Sequence, residues 1–336
     1  MINLDIKYLN KKSKIYMIAP SFGCTTSPYY ERLNRAIPRL EKAGHTIIVG
    51  DNCFKAVGKC ASNTPELRAK EFMDAYRSDC DAIISVGGGE MMTEILDHID
   101  FEEIKSLPHK WFIGFSDNTN LTFTLTTLCD IPTIYGSCAG GFHFKKFTYD
   151  VKDTYDMMMG KREFKGYSKY ESTPDKSDPF NDYVFDKKKI ITAYNYEESF
   201  NGTLIGGNLD IMQMLIGTPY DNMVNYCKKH NEGIIFYCEA CDLSVLGIKR
   251  ALIQMKRAGW FNHNIKGILV GRPLCIGQEF LGVDHLNACT DVLGYLNVPI
   301  LMDVDLGHLS PTMPMKNGIK VEVTFKNNNI YYNYEE

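Results

Sequence analysis

Five consecutive residues, Gly114, Phe115, Ser116, Asp117 and Asn118, stand where an apolar stretch, Trp111-Phe112-Ile113, runs into a helix-like one, Leu121 to Leu128. A serine on a sharp strand-to-helix turn holds its hydroxyl clear of neighbouring side chains, and the first N–H groups of the following helix favour an anion beside it. That is the setting of a nucleophile. Gly114 supplies the small residue two positions before the serine. Asn118 occupies the second glycine position of the elbow pattern G-x-S-x-G, and Asn tolerates left-handed backbone angles better than most residues. The same pentapeptide also reads as a helix cap, with Ser116 or Asp117 accepting a bond from an early helix N–H.

A run of three glycines, Gly87-Gly88-Gly89, follows the apolar stretch Ala82 to Val86. It matches neither G-x-G-x-x-G, because position 92 is Met, nor G-x-x-x-x-G-K. One reading is a tight turn. The other pairs it with the elbow: a backbone without side chains can bring an N–H close to the carbonyl attacked by Ser116, so that the Gly88 region and the Asp117 N–H form an oxyanion hole.

These residues need elements to position them. In the amino-terminal half, apolar strands at Ile15–Ala19, Thr46–Val49, Ala82–Val86, Trp111–Ile113 and Thr133–Tyr135 alternate with helix patterns at Ser27–Ala43, Pro65–Arg77, Met91–His98 and the elbow helix. Strands that are apolar almost throughout, alternating with helices, imply a parallel sheet covered on both faces. Ligands of such sheets lie beyond the carboxyl ends of the strands, where Ser21, Gly87–Gly89 and Ser116 fall. From Phe147 to Lys189 the texture turns to Tyr, Lys, Asp and Ser, which reads as a linker or surface excursion. A second unit follows. It has a strand entering a glycine turn at Gly202–Leu209, a strand ending in a carboxylate at Gly233–Glu239, a helix at Leu246–Ala258, strands at Gly267–Gly271 and Pro299–Leu301, and a hairpin of Ile319–Phe325 with Ile330–Tyr332.

Composition narrows the function classes. At 336 residues and 44% hydrophobic, the chain has room for two ordinary cores. With 37 basic and 41 acidic residues it has a formal charge of −4, so no basic surplus advertises nucleic acid or an anionic membrane surface. Met1 to Lys14 lacks the apolar stretch of a signal peptide, and no window approaches a membrane span; the expected location is the cytoplasm. Eleven cysteines are scattered through apolar segments and read as buried thiols. Cys238 and Cys241 have C-x-x-C spacing, but without a second pair no metal or redox site is expected, and no cofactor is expected.

Ser116, Glu239 and His308 occur in that order with glycine-rich turns beside each, and the pattern resembles the serine peptidases that include LD-carboxypeptidase and the microcin immunity protein. Ile18-Ala19-Pro20-Ser21, Gly87-Gly88, Gly114-Phe115-Ser116-Asp117, Leu204 to Leu209, Gly217 to Tyr220, Glu239 and Gly307-His308 follow that family's pattern from about residue 14 to 322. The resemblance implies an α/β protein: an amino-terminal parallel-sheet domain like the class I glutamine amidotransferases, and a carboxyl-terminal strand-rich α+β domain carrying Glu and His of a triad. The expected boundaries are 1–165, a linker or substrate loop at 166–190, and 191–336. It further implies a homodimer, with Ser116 as nucleophile, His308 as base, Glu239 as the residue that orients it, and Gly88 and Asp117 as the oxyanion hole.

A serine hydroxyl is a poor nucleophile at neutral pH, so a histidine must take its proton and return it to the leaving amine. The expected reaction is hydrolysis of an amide in a small peptide-like substrate, as when LD-carboxypeptidases release a terminal D-amino acid from muropeptides. Two alternatives stand beside it: an immunity-type amidase cleaving aminoacyl-nucleotide antibiotic analogues, and a catalytically silent binding protein of the same fold. Tyr194 and Tyr196 are candidates for stacking on a substrate ring, or else strand residues packed on the core. The other seven histidines, His285 among them, are expected to be ordinary surface or packing residues, and Cys241 and Asp242 have no assigned role.

Overall fold

The computed structural model describes residues 7–173, 180 and 182–335. They fall into two compact units, the first running to Lys161 and taking in Phe180 and Asp182, the second made of the remainder from Arg162 on. Among the described residues no helix is long and apolar enough to cross a membrane.

In the first unit the strands β1 (Lys14–Ile18), β2 (Thr46–Val49), β3 (Ala82–Ser85), β4 (Trp111–Gly114) and β5 (Thr133–Tyr135) line up in the order β5-β4-β3-β1-β2, every pairing parallel. β3, β4 and β5 are buried along their whole length, as apolar strands covered on both faces must be, whereas β2 at the sheet edge is partly exposed. The helices are α1 (Tyr29–Lys42), α2 (Pro65–Arg77), α3 (Phe101–Ser106), α4 (Thr119–Cys129) and α5 (Tyr149–Met158). α1 turns Leu33, Ala36 and Leu40 to the core at helical spacing. The pattern at Met91–His98 is a tighter 3-10 helix from Met92 to His98, entered where the buried Arg68 guanidinium takes the Met91 carbonyl at 2.8 Å.

The stretch from Phe147 to Lys189 is not simply an excursion. It begins with α5, whose Val151, Thr154 and Met158 share one buried face; the polar residues between them mask a 3.6-residue period. Further on come β6 (Glu163–Lys165) and the short antiparallel pair β7 (Lys169–Tyr170) and β8 (Lys187–Lys188).

The remaining strands of the second unit are β9 (Thr192–Tyr194), β10 (Ser199–Asn208), β11 (Ile234–Glu239), β12 (Ile265–Gly271), β13 (Ile300–Val304), β14 (Met315–Asn317), β15 (Lys320–Lys326) and β16 (Asn329–Tyr334), with helices α6 (Leu209–Leu215), α7 (Met223–Lys229), α8 (Val245–Arg257) and α9 (His285–Leu293). One eight-stranded sheet has the order β6-β16-β15-β10-β11-β12-β13-β9. Its middle, β10 to β13, is parallel, and its flanks are antiparallel. Burial follows the pairing: β11 is buried at every position, while β15 alternates, because a parallel strand is covered on both faces and a hairpin strand on one. β10 runs straight through Gly206 and Gly207 to Asn208, where the sequence suggested a glycine turn.

Candidate active site

The first unit builds an elbow at the carboxyl end of β4. Ser116 has φ +64°, a left-handed angle that is strained for any residue with a Cβ and that persists only where the surroundings hold it. Those surroundings are specific. The Ser116 N–H donates to the Tyr135 hydroxyl at 3.1 Å, and the Asn118 amide donates to the carbonyls of Gly87 at 3.0 Å and Phe115 at 2.8 Å, tying the glycine run to the elbow. A Cβ at Gly114 would lie 2.5 Å from Asn118 Cγ, so this position must be glycine for the tie to form. A Cβ at Gly88 would lie 3.3 Å from Ser116 Cβ and 3.6 Å from its Oγ; the Gly88 backbone therefore lines the hydroxyl.

The Asp117 side chain turns inward. It is 1% exposed, its carboxylate accepts from Ser21 Oγ at 2.5 Å, from the Met92 N–H at 3.0 Å and from Asn120 at 3.0 Å, and burial pushes its carboxyl above the usual value. It is thus an anchor for the turn rather than a group facing a substrate.

The second unit gathers an acid and a base at the carboxyl ends of its parallel strands. Glu239 ends β11 with its side chain fully buried; one oxygen accepts from the Asn208 amide at 2.9 Å and the other lies 3.0 Å from His308 Nδ1. Asn208 ends β10 and caps α6 by accepting the Ile211 N–H at 3.1 Å, so its amide is locked before it reaches the glutamate. Gly307, at φ +108°, takes a conformation that side chains rarely adopt, and a Cβ there would meet the Arg272 carbonyl at 2.8 Å and Glu239 Oε2 at 3.2 Å. That close approach sets His308 against the acid.

Burial alone would lower the His308 pKa; the Glu239 carboxylate, with the Cys241 side chain also in contact, outweighs burial and holds the ring above its ordinary 6.5. A carboxylate accepting at Nδ1 fixes the tautomer in which Nε2 is the nitrogen that exchanges a proton with a reacting group.

Tyr194 and Tyr196 do not gather with this pair. Tyr194 lies on β9, opposite Ile300 at the amino end of β13, and its hydroxyl packs near Gly294; Tyr196 donates to the Phe325 carbonyl at 3.0 Å. Tyr194 thus stands on the outermost strand of the sheet and Tyr196 in the loop that follows it, both exposed. Asn208 and Tyr135 were not expected as site residues. Asn208 is part of the Gly-Gly-Asn-Leu run and was legible as a motif, whereas nothing local marks Tyr135, which reaches Ser116 only because β5 pairs with β4. The described cysteines are all free, and among the described residues no group of three or more His, Cys, Asp or Glu is arranged to hold a metal.

Two family models span most of the sequence: the LD-carboxypeptidase N-terminal domain matches residues 15–136 and the LD-carboxypeptidase C-terminal domain residues 201–323. The chain belongs to the LD-carboxypeptidase family, S66, of peptidases. Among relatives of this family member, the microcin C7 self-immunity protein MccF of Escherichia coli is 25% identical over 315 residues, covering 89% of this chain and 87% of its own. A probable murein peptide carboxypeptidase of Bacillus subtilis is 24% identical, covering 95% of this chain and 91% of its own. In structure, MccF in complex with glutamyl sulfamoyl guanosine superposes with a TM-score of 0.81 at 21% identity over 98% of both chains, which establishes the shared two-domain α/β fold. Both branches weighed from the sequence, carboxypeptidase and immunity protein, are thus represented among the relatives.

Proposed function

We propose that this chain is a serine-type amide hydrolase in which Ser116 attacks the carbonyl of a small peptide-like substrate, His308 takes and returns the proton, and Glu239 orients the ring. The observation that carries this reading is the fully buried Glu239 carboxylate on His308 Nδ1 at 3.0 Å, since a carboxylate is withdrawn from water at such cost that it is kept where its charge is used or paired. The left-handed Ser116 of the elbow supports it from the other unit. The N–H groups of Asp117 and of the Gly88 region would receive the developing oxyanion, and the imidazolium would return its proton to the leaving amine. An enzyme acting on small soluble peptides in the cytoplasm as a homodimer is consistent with this reading.

The preferred substrate class is a murein-type peptide, the class in the name of the murein peptide carboxypeptidase, with an L,D-linkage as the LD-carboxypeptidase family models imply. A second reading, cleavage of an amide between an amino acid and a nucleotide analogue, is favoured by the full-length likeness to MccF, which has been crystallised with glutamyl sulfamoyl guanosine. The experiment compares wild type and Ser116→Ala on an L,D-peptide and on an aminoacyl sulfamoyl nucleoside. Removal of a triad nucleophile costs on the order of 10⁴ to 10⁶ in turnover. The substrate that wild type cleaves and the variant does not identifies the branch; equal rates in both proteins would eliminate Ser116 as the nucleophile, and no cleavage of either substrate by wild type would point to a binding protein.

A further inference from the structure

β13 delivers His308, and the way it ends is unusual. Asp303, its fourth residue, has φ +63°, a left-handed angle at a residue with a Cβ, and the pairing of β12 with β13 shifts register there, between Val270 and Gly271. Such a kink needs to be held. The Asp303 carboxylate meets His285 Nε2 with both oxygens, at 3.1 and 3.2 Å, and His285 is the first residue of α9, a helix pinned by the capping box of Asp284 and Asn287. The Asp303 carbonyl accepts from Arg272 Nη1 at 3.1 Å, and the same nitrogen reaches Asp305 Oδ1 at 2.8 Å. The other Asp305 oxygen accepts from the Tyr167 N–H at 2.7 Å and from Lys189 at 3.1 Å. Arg272, Asp305 and Lys189 are each at most 2% exposed, and the Tyr170 ring lies 4.4 Å from the Arg272 guanidinium carbon. Finally the Asp305 carbonyl accepts the Met313 N–H at 2.7 Å, closing the loop on which Gly307 and His308 sit.

We propose that Asp303 and Asp305, clamped by His285 and Arg272, form a charged buckle that sets the direction of His308, and that these four are positioning residues of the reaction proposed above. None of the four is expected to touch substrate. Their effect runs through the backbone: the kink at Asp303 shifts the register in which the last residue of β13, Val304, pairs with Gly271, Asp305 closes the loop, and Gly307 then has only the space between the Arg272 carbonyl and Glu239 in which to lie. The two carboxylates face opposite partners, so the loop is held from both sides. His285, which burial would push down, is held above its ordinary 6.5 by Asp303.

The inference rests on the triad reading, so the test carries one measurement that needs no substrate: titration of the His308 ring by NMR in the full-length chain. Asp303→Val places a β-branched residue at a left-handed angle and removes the partner of His285, whereas Asp303→Asn tolerates that angle and still accepts a hydrogen bond. In the valine variant kcat should fall on the order of 10²-fold with KM within about threefold, as expected when a reacting group is misplaced and binding is not. The His308 pKa should fall with it, because its contact with Glu239 loosens. Asp303→Asn should keep most of the rate and the wild-type titration. A folded valine variant with wild-type kcat and an unmoved His308 titration overturns the proposal, and so does an asparagine variant as impaired as valine. Should valine prevent folding, Arg272→Lys, which cannot bridge the Asp303 carbonyl and the Asp305 carboxylate as the guanidinium does, is read by the same two measures; an unmoved titration there overturns the proposal. Failure of the Ser116→Ala experiment would remove the reaction, while the His308 titration would still decide the buckle.

Discussion

The two candidate half-sites are built on different physics. In the first unit the placement of Ser116 rests on a backbone angle: a strained φ, held by the Asn118 amide on two carbonyls and by one hydroxyl, with glycines where side chains would collide. In the second unit the placement of His308 rests on buried charge, with Glu239 wholly desolvated and Asp303, Asp305, Arg272 and Lys189 behind it. Strain of this kind is local and does not depend on pH. Buried ion pairs are strong only while both partners keep their charge, and each is costly to break one member at a time. The elbow should therefore respond to changes of shape, and the acid–base half to changes of charge and pH.

The sharpest way to break that contrast is Glu239→Gln. With the carboxylate gone, the amide can hold the ring in the wrong tautomer and cannot stabilise imidazolium, so kcat should drop on the order of 10⁴-fold. The rate-versus-pH profile should move too. Wild-type activity should rise with pH through an apparent pKa above 6.5, because the base must be neutral and Glu239 favours its charged form; in the glutamine variant the apparent pKa should fall. An unchanged profile would make Glu239 a structural carboxylate and send the search to another acid.

Stability should follow the same sign. A folded His308 pKa raised above 6.5 means that the pair's contribution is fully present below 6.5 and is lost as pH rises through the folded value. Chemical denaturation at pH 6 and at pH 9 should show this loss in wild type and a smaller one in His308→Ala.

Gly88→Ala tests the elbow by shape alone. Its methyl, 3.3 Å from Ser116 Cβ and 3.6 Å from Oγ, needs the turn to give by a few tenths of an ångström, and the expected cost is about 10 to 10² in kcat through lost alignment, with no change in the pH profile. A shifted profile would mean that the halves are not separable in this way. Asn208→Ala should mainly cost stability, about 1–3 kcal/mol, since it leaves a buried carboxylate oxygen without its donor and a helix without its cap. The smallest change in stability is expected from Ser116→Gly, which removes the nucleophile but should raise stability by about 1 kcal/mol in thermal unfolding by relieving the left-handed angle; a loss instead would show that the elbow is not strained.

Much of the fold was legible in the residues because its signals are local. Apolar runs such as Ile83-Ile84 and Ile234 to Cys238 mark strands covered on both faces, and Leu33, Ala36 and Leu40 repeat at helical spacing. The elbow was legible for the same reason, since a small residue and a serine lie two positions apart, but Asn118 takes right-handed angles, with φ −63°, and serves the turn through its side-chain amide while Ser116 carries the left-handed angle. α5 was missed because charged residues break its apolar period, and the edge position of β2 was hidden because an apolar tetrapeptide reads alike at the edge and the centre of a sheet.

The residue types able to do chemistry, Ser116, Glu239 and His308, and the glycines beside them were determined by the sequence itself, because a motif depends on neighbours a few bonds apart. Only the tertiary structure decided that Asn208 holds Glu239, that Tyr135 holds the Ser116 N–H, that Tyr194 lies on the edge strand β9, and that His285 serves Asp303. Those contacts join residues from 18 to 31 positions apart or more. Their existence depends on which strands pair and in what register, a choice made by the packing of the whole core.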